Sequence, residues 1–277
     1  MEANEVLQDA NGTHHKQAEH FLKTGYGRQA AQYRKDDEIE VTTEHHRHLR
    51  GVLEALSGSF NRPIRVLDAG CGTGRYFHCL RNTEQLVGLD LCPEMLEAAR
   101  SPVLAQQVTV GKVSLQCASI FEISFPYRAF DLIYSIGMFA LGCPLSVELC
   151  EKFHQWLAPD GRLFFNVTDR DGIAWPKVFK RRVRRAVYRF APQPVKNLLN
   201  QRSPHPEVCA LTRPELAALM RQTPFDRYRI ISQPCLSPLW HGRHLECLAW
   251  KRDVRPCRNV ATPPRERILA QSLPEGF

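Results

Sequence analysis

Val66-Leu67-Asp68-Ala69-Gly70-Cys71-Gly72-Thr73-Gly74 decides the fold of this 277-residue chain. Pro63 interrupts the chain, and the apolar run 64–67 that follows ends on an acid and breaks into three alternating glycines. A short, continuous apolar run is the pattern of a strand buried on both faces. Glycines let the backbone turn tightly and approach a ligand with no side chain in the way. Residues 75–80 are predicted to begin a helix, whose unpaired N–H groups would suit a carboxylate.

Working outward, the same rhythm repeats. Residues 85–89 form a second strand ending at Asp90, and Pro93 suits the first turn of a helix over 94–100. Strands are predicted at 113–117, 130–134 and 162–167, with an amphipathic helix at 146–157 and a turn at Pro159-Asp160-Gly161. Upstream, 21–57 reads as helical, with Leu49, Val52, Leu53 and Leu56 on one face. Far downstream, Thr212-Arg213-Pro214-Glu215 opens a helix by its cap and proline. Two late strands follow at 228–232 and 245–251, joined through 234–243. Strands alternating with helices over short connections mean a parallel sheet covered on both faces, an α/β fold.

Ligands of such sheets bind at the carboxyl ends of the strands. There Asp68 and, 22 residues on, Asp90 flank the glycine turn. A carboxylate at Asp90 can accept hydrogen bonds from two ribose hydroxyls. A dinucleotide site would need G-x-G-x-x-G, but the third glycine comes one residue early, and a match begun at Gly72 meets Phe77. An acid two places before the first glycine also fits an amino group better than a pyrophosphate.

These residues resemble the class I S-adenosylmethionine-dependent methyltransferases, near their small-molecule group. The resemblance runs from about Tyr26 to Lys251. It rests on Val66–Gly74, on Leu89-Asp90-Leu91-Cys92-Pro93-Glu94-Met95-Leu96, on Phe130-Asp131-Leu132-Ile133-Tyr134-Ser135, and on Leu157-Ala158-Pro159-Asp160-Gly161-Arg162-Leu163. The stretch from Tyr26 to Tyr33 is similar to the helix that closes over the cofactor. The resemblance implies a Rossmann-like three-layer sandwich with a mostly parallel seven-stranded sheet and a helical basic insertion after strand five. It implies S-adenosyl-L-methionine as cofactor and S-adenosyl-L-homocysteine as product. Asp68, Gly70 and Gly72 would surround the methionine end, Asp90 the ribose, and Leu91, Ser119 and Ile120 the adenine; Ser135 and Ile136 would line the sulfonium, and Tyr33, Ala69, Cys71 and Gly74 would complete the cofactor site. Ser119 departs from the family's usual Asp, and a hydroxyl holds an amine more weakly than a carboxylate does.

For the acceptor, Asn166, Thr168 and Asp169 at the end of strand five are expected to line the pocket. His241 and His244, in the connection between the late strands, are the candidate catalytic bases. His154 belongs to a helix covering the sheet. His45, His46 and His48 read as solvated residues of a polar helix, and no metal is expected. The ten cysteines contain no C-x-x-C pair and lie mostly in apolar segments, so neither a disulfide framework nor a zinc knuckle is suggested. No Asp/Asn-Pro-Pro-Tyr/Phe follows strand four, against amino groups of adenine or glutamine as acceptors.

The net charge of +8 is local. Nine basic and no acidic residues lie between Gly172 and Pro206, leaving near balance elsewhere. Phe179, Val183, Ala186, Val187 and Phe190 fall at helical spacing among them. The preferred reading is a lid with a solvated cationic face; contact of 175–190 with an anionic membrane surface comes second, and RNA phosphates last. The expected organisation is a flexible N-terminus over 1–20, a methyltransferase domain over 21–251 with the insertion at 171–211, and a flexible Pro/Arg-rich tail over 252–277. The N-terminus lacks the pattern of a secretory signal, and no run approaches the ~20 apolar residues of a membrane span, so a cytoplasmic enzyme is expected. The function the resemblance implies is O- or C-methylation of a small metabolite, hydrophobic ones included. The alternatives are a non-catalytic cofactor-binding interaction protein and an RNA methyltransferase using the insertion.

Overall fold

The computed structural model describes residues 2–140, 143–172, 192, 209–237 and 241–252, without the side chains of 2–18, 20, 21, 236 and 241. The nine cations of the basic window, the stretch 175–190 and the tail from 253 lie outside them. Among the described residues eight strands form one sheet: β1 (Ile64–Ala69), β2 (Thr83–Asp90), β3 (Lys112–Cys117), β4 (Phe130–Phe139), β5 (Leu157–Asp169), β6 (Ala210–Leu211), β7 (Arg227–Leu236) and β8 (His241–Trp250). The order is β3-β2-β1-β4-β5-β8-β7, with the short β6 paired to the end of β5. Every pair from β3 to β5, and β5 with β6, is parallel; β8 runs antiparallel to both β5 and β7. This is the mostly parallel Rossmann-like sheet expected, with β6 as an addition.

Alternation along the strands builds the three layers. Val66, Leu132, Tyr134, Phe164 and Leu248 face one side, where α2 (Glu44–Gly58) lays down Leu49, Val52, Leu53 and Leu56. Leu67, Ile133, Leu163, Phe165 and Cys247 face the other, packed on Leu149, Phe153 and Trp156 of α4 (Val147–Trp156) and on Leu216 and Met220 of α5 (Arg213–Met220). Helix starts are chemically marked. Thr43 accepts from the His46 N–H, Ser146 from the Leu149 N–H, and Thr212 forms a reciprocal capping box with Glu215. Pro93 opens α3 (Pro93–Ala99).

Helix α1 (Glu2–Glu40) includes the polar stretch expected to fray, and three residues separate it from α2, so the region read as helical over 21–57 is two helices. Its residues Tyr26, Ala30, Tyr33, Asp37 and Glu40, spaced by four and three, form one inward stripe; Tyr26, Ala30 and Tyr33 pack with Cys92 and Met95.

Other expectations are corrected. The helix foreseen at 75–80 is only a 3₁₀ turn, Phe77–Cys79, because β2 begins at Thr83 and leaves no length for more. Pro159-Asp160-Gly161 is not a turn before β5 but an irregularity within it: Phe130 pairs with Leu157 and Leu132 with Arg162, and Asp160 has φ 60°. The late strands run on to Leu236↔His241, so Pro234, Cys235, Arg243 and His244 are strand residues rather than a connection. His45 and His46 are buried, not solvated, because they lie on the face of α2 turned to the sheet, and His48 meets the buried Glu246 at 2.9 Å. Among the described residues no helix is long and apolar enough to cross a membrane.

Candidate functional site

The carboxyl ends of β1, β2 and β4 open into a cavity of about 270 Å³ that α1 covers. The glycine turn forms its floor. Gly70, Gly72 and Gly74 have φ of 79°, 52° and 75°, the left-handed region in which other residues are strained. A Cβ on Gly70 would stand 2.9 Å from Met138, and one on Gly74 2.7 Å from the Phe77 ring; Gly72 faces open space. The turn is fastened to β2 by Gly70 and Cys71 N–H groups donating to the Leu89 carbonyl at 2.8 and 2.9 Å.

Two carboxylates define the cavity's polarity. Asp90 accepts from Gly72 N–H at 2.8 Å through Oδ2 and from Cys92 N–H at 2.9 Å through Oδ1. Each oxygen keeps a further lone pair for a ligand hydroxyl. Burial raises its pKa against the pull of those backbone donors. Asp68 is more deeply set: burial, with the Asp90 charge adding to it and the Tyr134 hydroxyl opposing, pushes it up to about 8. An uncharged carboxyl there is a group waiting for a cation.

Helix α1 is tied to the turn through Asp37, which is fully buried and accepts from the Thr73 hydroxyl and from Arg75 Nε at 2.5 Å. At the other end of the cavity the Ser119 hydroxyl donates to the Glu19 carboxylate of α1 while accepting from Phe121 N–H at 3.1 Å.

Of the residues expected around a cofactor, Tyr33, Asp68, Gly70, Cys71, Gly72, Asp90, Leu91, Ser119, Ile120 and Ile136 line this cavity. Ala69, Gly74 and Ser135 do not. They shape it from behind, the Ser135 hydroxyl donating to the Ala69 carbonyl at 2.8 Å. Of the residues expected around an acceptor, Asn166 and His244 reach the cavity. Asn166 Oδ1 accepts from Gly137 N–H at 2.8 Å, while its Nδ2 is buried with no partner. Thr168 and Asp169 do not reach it; Asp169 is engaged by Ser232, the Asp171 N–H and Arg243. His241 stands at the start of β8 with its side chain outside the described residues. Burial lowers His244, against the raising effect of Asp169. Sequence reasoning missed Glu19, Glu40, His45, Arg75, Met138 and Cys235, all on the cavity wall. The three-and-four spacing of polar residues along α1 was the one available signal for Glu40.

A family model described as a methyltransferase domain matches residues 66–161. The chain is 29% identical over 150 residues to a malonyl-[acyl-carrier protein] O-methyltransferase of Priestia megaterium, covering 53% of this chain and 50% of that one. It is 31% identical to the O-methyltransferase resE of Aspergillus sclerotiorum, covering 42% of each. It spans about half the length of the curated relatives it matches. Among solved structures, a phosphoethanolamine N-methyltransferase 2 of Haemonchus contortus in complex with S-adenosyl-L-methionine shares the fold, with a TM-score of 0.52 and 14% identity over 75% of this chain and 53% of that one.

Proposed function

We propose that this chain, whose residues 66–161 match a methyltransferase domain, is a class I S-adenosylmethionine-dependent methyltransferase that transfers a methyl group from S-adenosyl-L-methionine to a small-molecule acceptor. The carrying observation is the pair of cavity carboxylates around a positive-φ glycine turn, with both Asp90 oxygens pinned by backbone N–H groups. In this reading Asp90 holds the ribose hydroxyls, Asp68 and the Gly70–Gly72 backbone the methionine end, and Leu91 and Ile120 the adenine faces. When bound, the cofactor supplies an electrophilic methyl on a sulfonium. The protein's part is alignment, which can supply most of the rate of an in-line displacement.

The relatives' O-methyltransferase names support an oxygen acceptor. Asn166 Nδ2, buried and unpartnered, is a donor that can orient it. His244, which burial favours in its neutral form, offers a ring-nitrogen lone pair on the same wall of the cavity.

The departure at Ser119 is met from another part of the chain. Glu19 brings to Ser119 the carboxylate that the position itself lacks, and we assign it the adenine amine. Glu19→Gln is expected to weaken S-adenosyl-L-homocysteine binding about tenfold, near the worth of one hydrogen bond to a charged group. Calorimetric titration checks it, with inosine-for-adenosine analogues unaffected by the change. An unaltered affinity for the homocysteine would remove Glu19 from the site.

Cofactor titration also tests the main reading through its pH dependence. Asp68 is protonated below about 8 in the empty site, and a cationic amino group beside it would favour the charged form. Binding should therefore expel a proton at pH 6–7, and affinity should rise with pH until it levels above 8. Asp68→Asn should abolish the proton release, measured by calorimetry in buffers of different ionisation heat. The same shift has a stability consequence. The folded pKa lies above the unfolded one, so the empty protein binds more protons than its unfolded chain between about 4 and 8 and loses stability as pH rises through that window. No heat with either ligand at any pH would refute the proposed function.

A further inference from the structure

Three segments far apart in sequence converge on the acceptor side of the cavity. His45 comes from the first turn of α2, Cys235 from β7 and His244 from β8. Each offers one ligand atom, and the three atoms lie within 4.8 Å of one another. The strand register explains the meeting. Cys235 pairs with Gly242, so Cys235 and His244 are diagonal neighbours on one face of the hairpin. The position opposite Cys235 carries no side chain, and α2 covers that face with His45, whose ring centroid is 5.5 Å from that of His244.

The group is unsatisfied as it stands. His45 Nδ1 and His244 Nδ1 are buried with no hydrogen-bond partner. A second trio, His46, His78 and Cys79, also leaves both imidazole Nδ1 atoms unpaired, with its Nε2 atoms 3.3 Å apart and the thiol 3.5 Å from one of them, but none of its members lines the cavity, so an ion there would offer no open position to an acceptor. The first trio lines it throughout, beside the buried Glu40 carboxylate.

We propose that His45, Cys235 and His244 bind a zinc-type divalent cation whose open coordination position takes the acceptor, a small molecule bearing an ionisable O–H or S–H group. This rests on the methyl-transfer reading above. Two nitrogens and one thiolate are a borderline-soft set suited to zinc. Three protein ligands with a fourth position left open are the pattern of catalytic rather than structural zinc. In a tetrahedral zinc site neighbouring ligand atoms stand ~3.3–3.6 Å apart, so small side-chain shifts would close the trio onto an ion. The acceptor's heteroatom coordinates, its O–H or S–H bond breaks, and the proton passes to water. The ion lowers the acceptor's pKa as zinc lowers that of bound water, from 15.7 to about 7. The anion so formed carries the electron pair used as nucleophile, and no protein base is required. The proposal departs from the expectation that no metal is bound; its three ligands share no sequence motif.

The test uses the full chain, stripped with chelator and reloaded with zinc or cobalt(II) alone. One zinc per chain is expected by equilibrium dialysis, and cobalt should give tetrahedral visible bands with a thiolate charge-transfer band. Cys235→Ser should remove that band, and His244→Gln should weaken zinc binding at least tenfold. Cys79→Ser should leave both intact. Titration with S-adenosyl-L-homocysteine reports the fold of each variant. Failure of the stripped protein to take up zinc, uptake that survives both Cys235→Ser and His244→Gln, or loss of uptake with Cys79→Ser would overturn the proposal, while intact S-adenosyl-L-homocysteine binding would leave the methyl-transfer reading standing. Zinc uptake without any S-adenosyl-L-homocysteine binding would defeat that reading and, with it, the ion's assigned role.

Discussion

Asp90→Ala is expected to weaken binding of S-adenosyl-L-methionine and S-adenosyl-L-homocysteine by at least a hundredfold. Two hydrogen bonds to a carboxylate at about 1.5–3 kcal/mol each give a loss of about 3–6 kcal/mol, and each 1.4 kcal/mol is a factor of ten. The change also frees Gly72 N–H and Cys92 N–H, which Asp90 now holds at 2.8 and 2.9 Å. The glycine turn therefore loses its brace together with the ligand's anchor. Asp90→Asn separates the two effects: it keeps one acceptor oxygen and should fall between the other two proteins. Calorimetry measures the affinities, and thermal unfolding without ligand measures the brace. An Asp90→Ala protein binding within threefold of the parent would exclude Asp90 as a cofactor ligand.

The second large effect lies in stability. Asp37 is fully buried and faces Arg75, whose side chain is 18% exposed, at 2.5 Å. Removing one partner of a buried pair leaves an uncompensated charge and costs about 3–5 kcal/mol. For a chain this size each kcal/mol is worth roughly 2–4 °C, so Asp37→Ala should melt roughly 6–20 °C lower. Replacing both partners, as in Asp37→Leu with Arg75→Met, should recover most of that loss, since a matched apolar pair carries no stranded charge. Recovery of stability need not restore cofactor affinity, because Thr73 still loses its acceptor. Unfolding of Asp37→Ala within a degree or two of the parent would show that α1 is not tied to the turn by this contact.

Much of the fold was legible because parallel strands buried on both faces are short apolar runs ending in chemistry. Val66 to Gly74 and Leu86 to Asp90 announce themselves by composition alone. The errors share a physical origin in tertiary context. A six-residue helix after Gly74 fits the local pattern but not the distance to β2. The histidines of α2 look polar in sequence, yet burial depends on which face meets the sheet, and His46 and His78 answer each other across thirty-two residues. The hairpin was expected to open at Pro234, but pairing continues through Arg243 to His241. On the site, the local motifs led to the glycine turn and the two carboxylates of the cavity, whereas Glu19, His45 and Cys235 reach it from separate elements that no spacing rule connects.

The short β6 has a consequence for how this protein can change. The chain leaves β5 at Asp169 and returns as Ala210, which pairs in parallel with Thr168 and is followed by Leu211 against Asp169. Departure and return are thus stitched to the same two residues. Closing a loop whose ends are already together costs only about 0.6 kcal/mol more for each doubling of its length. The segment between can be exchanged, lengthened or shortened with little penalty to the sheet. A change of length at this seam leaves Asp68, Asp90 and the glycine turn untouched.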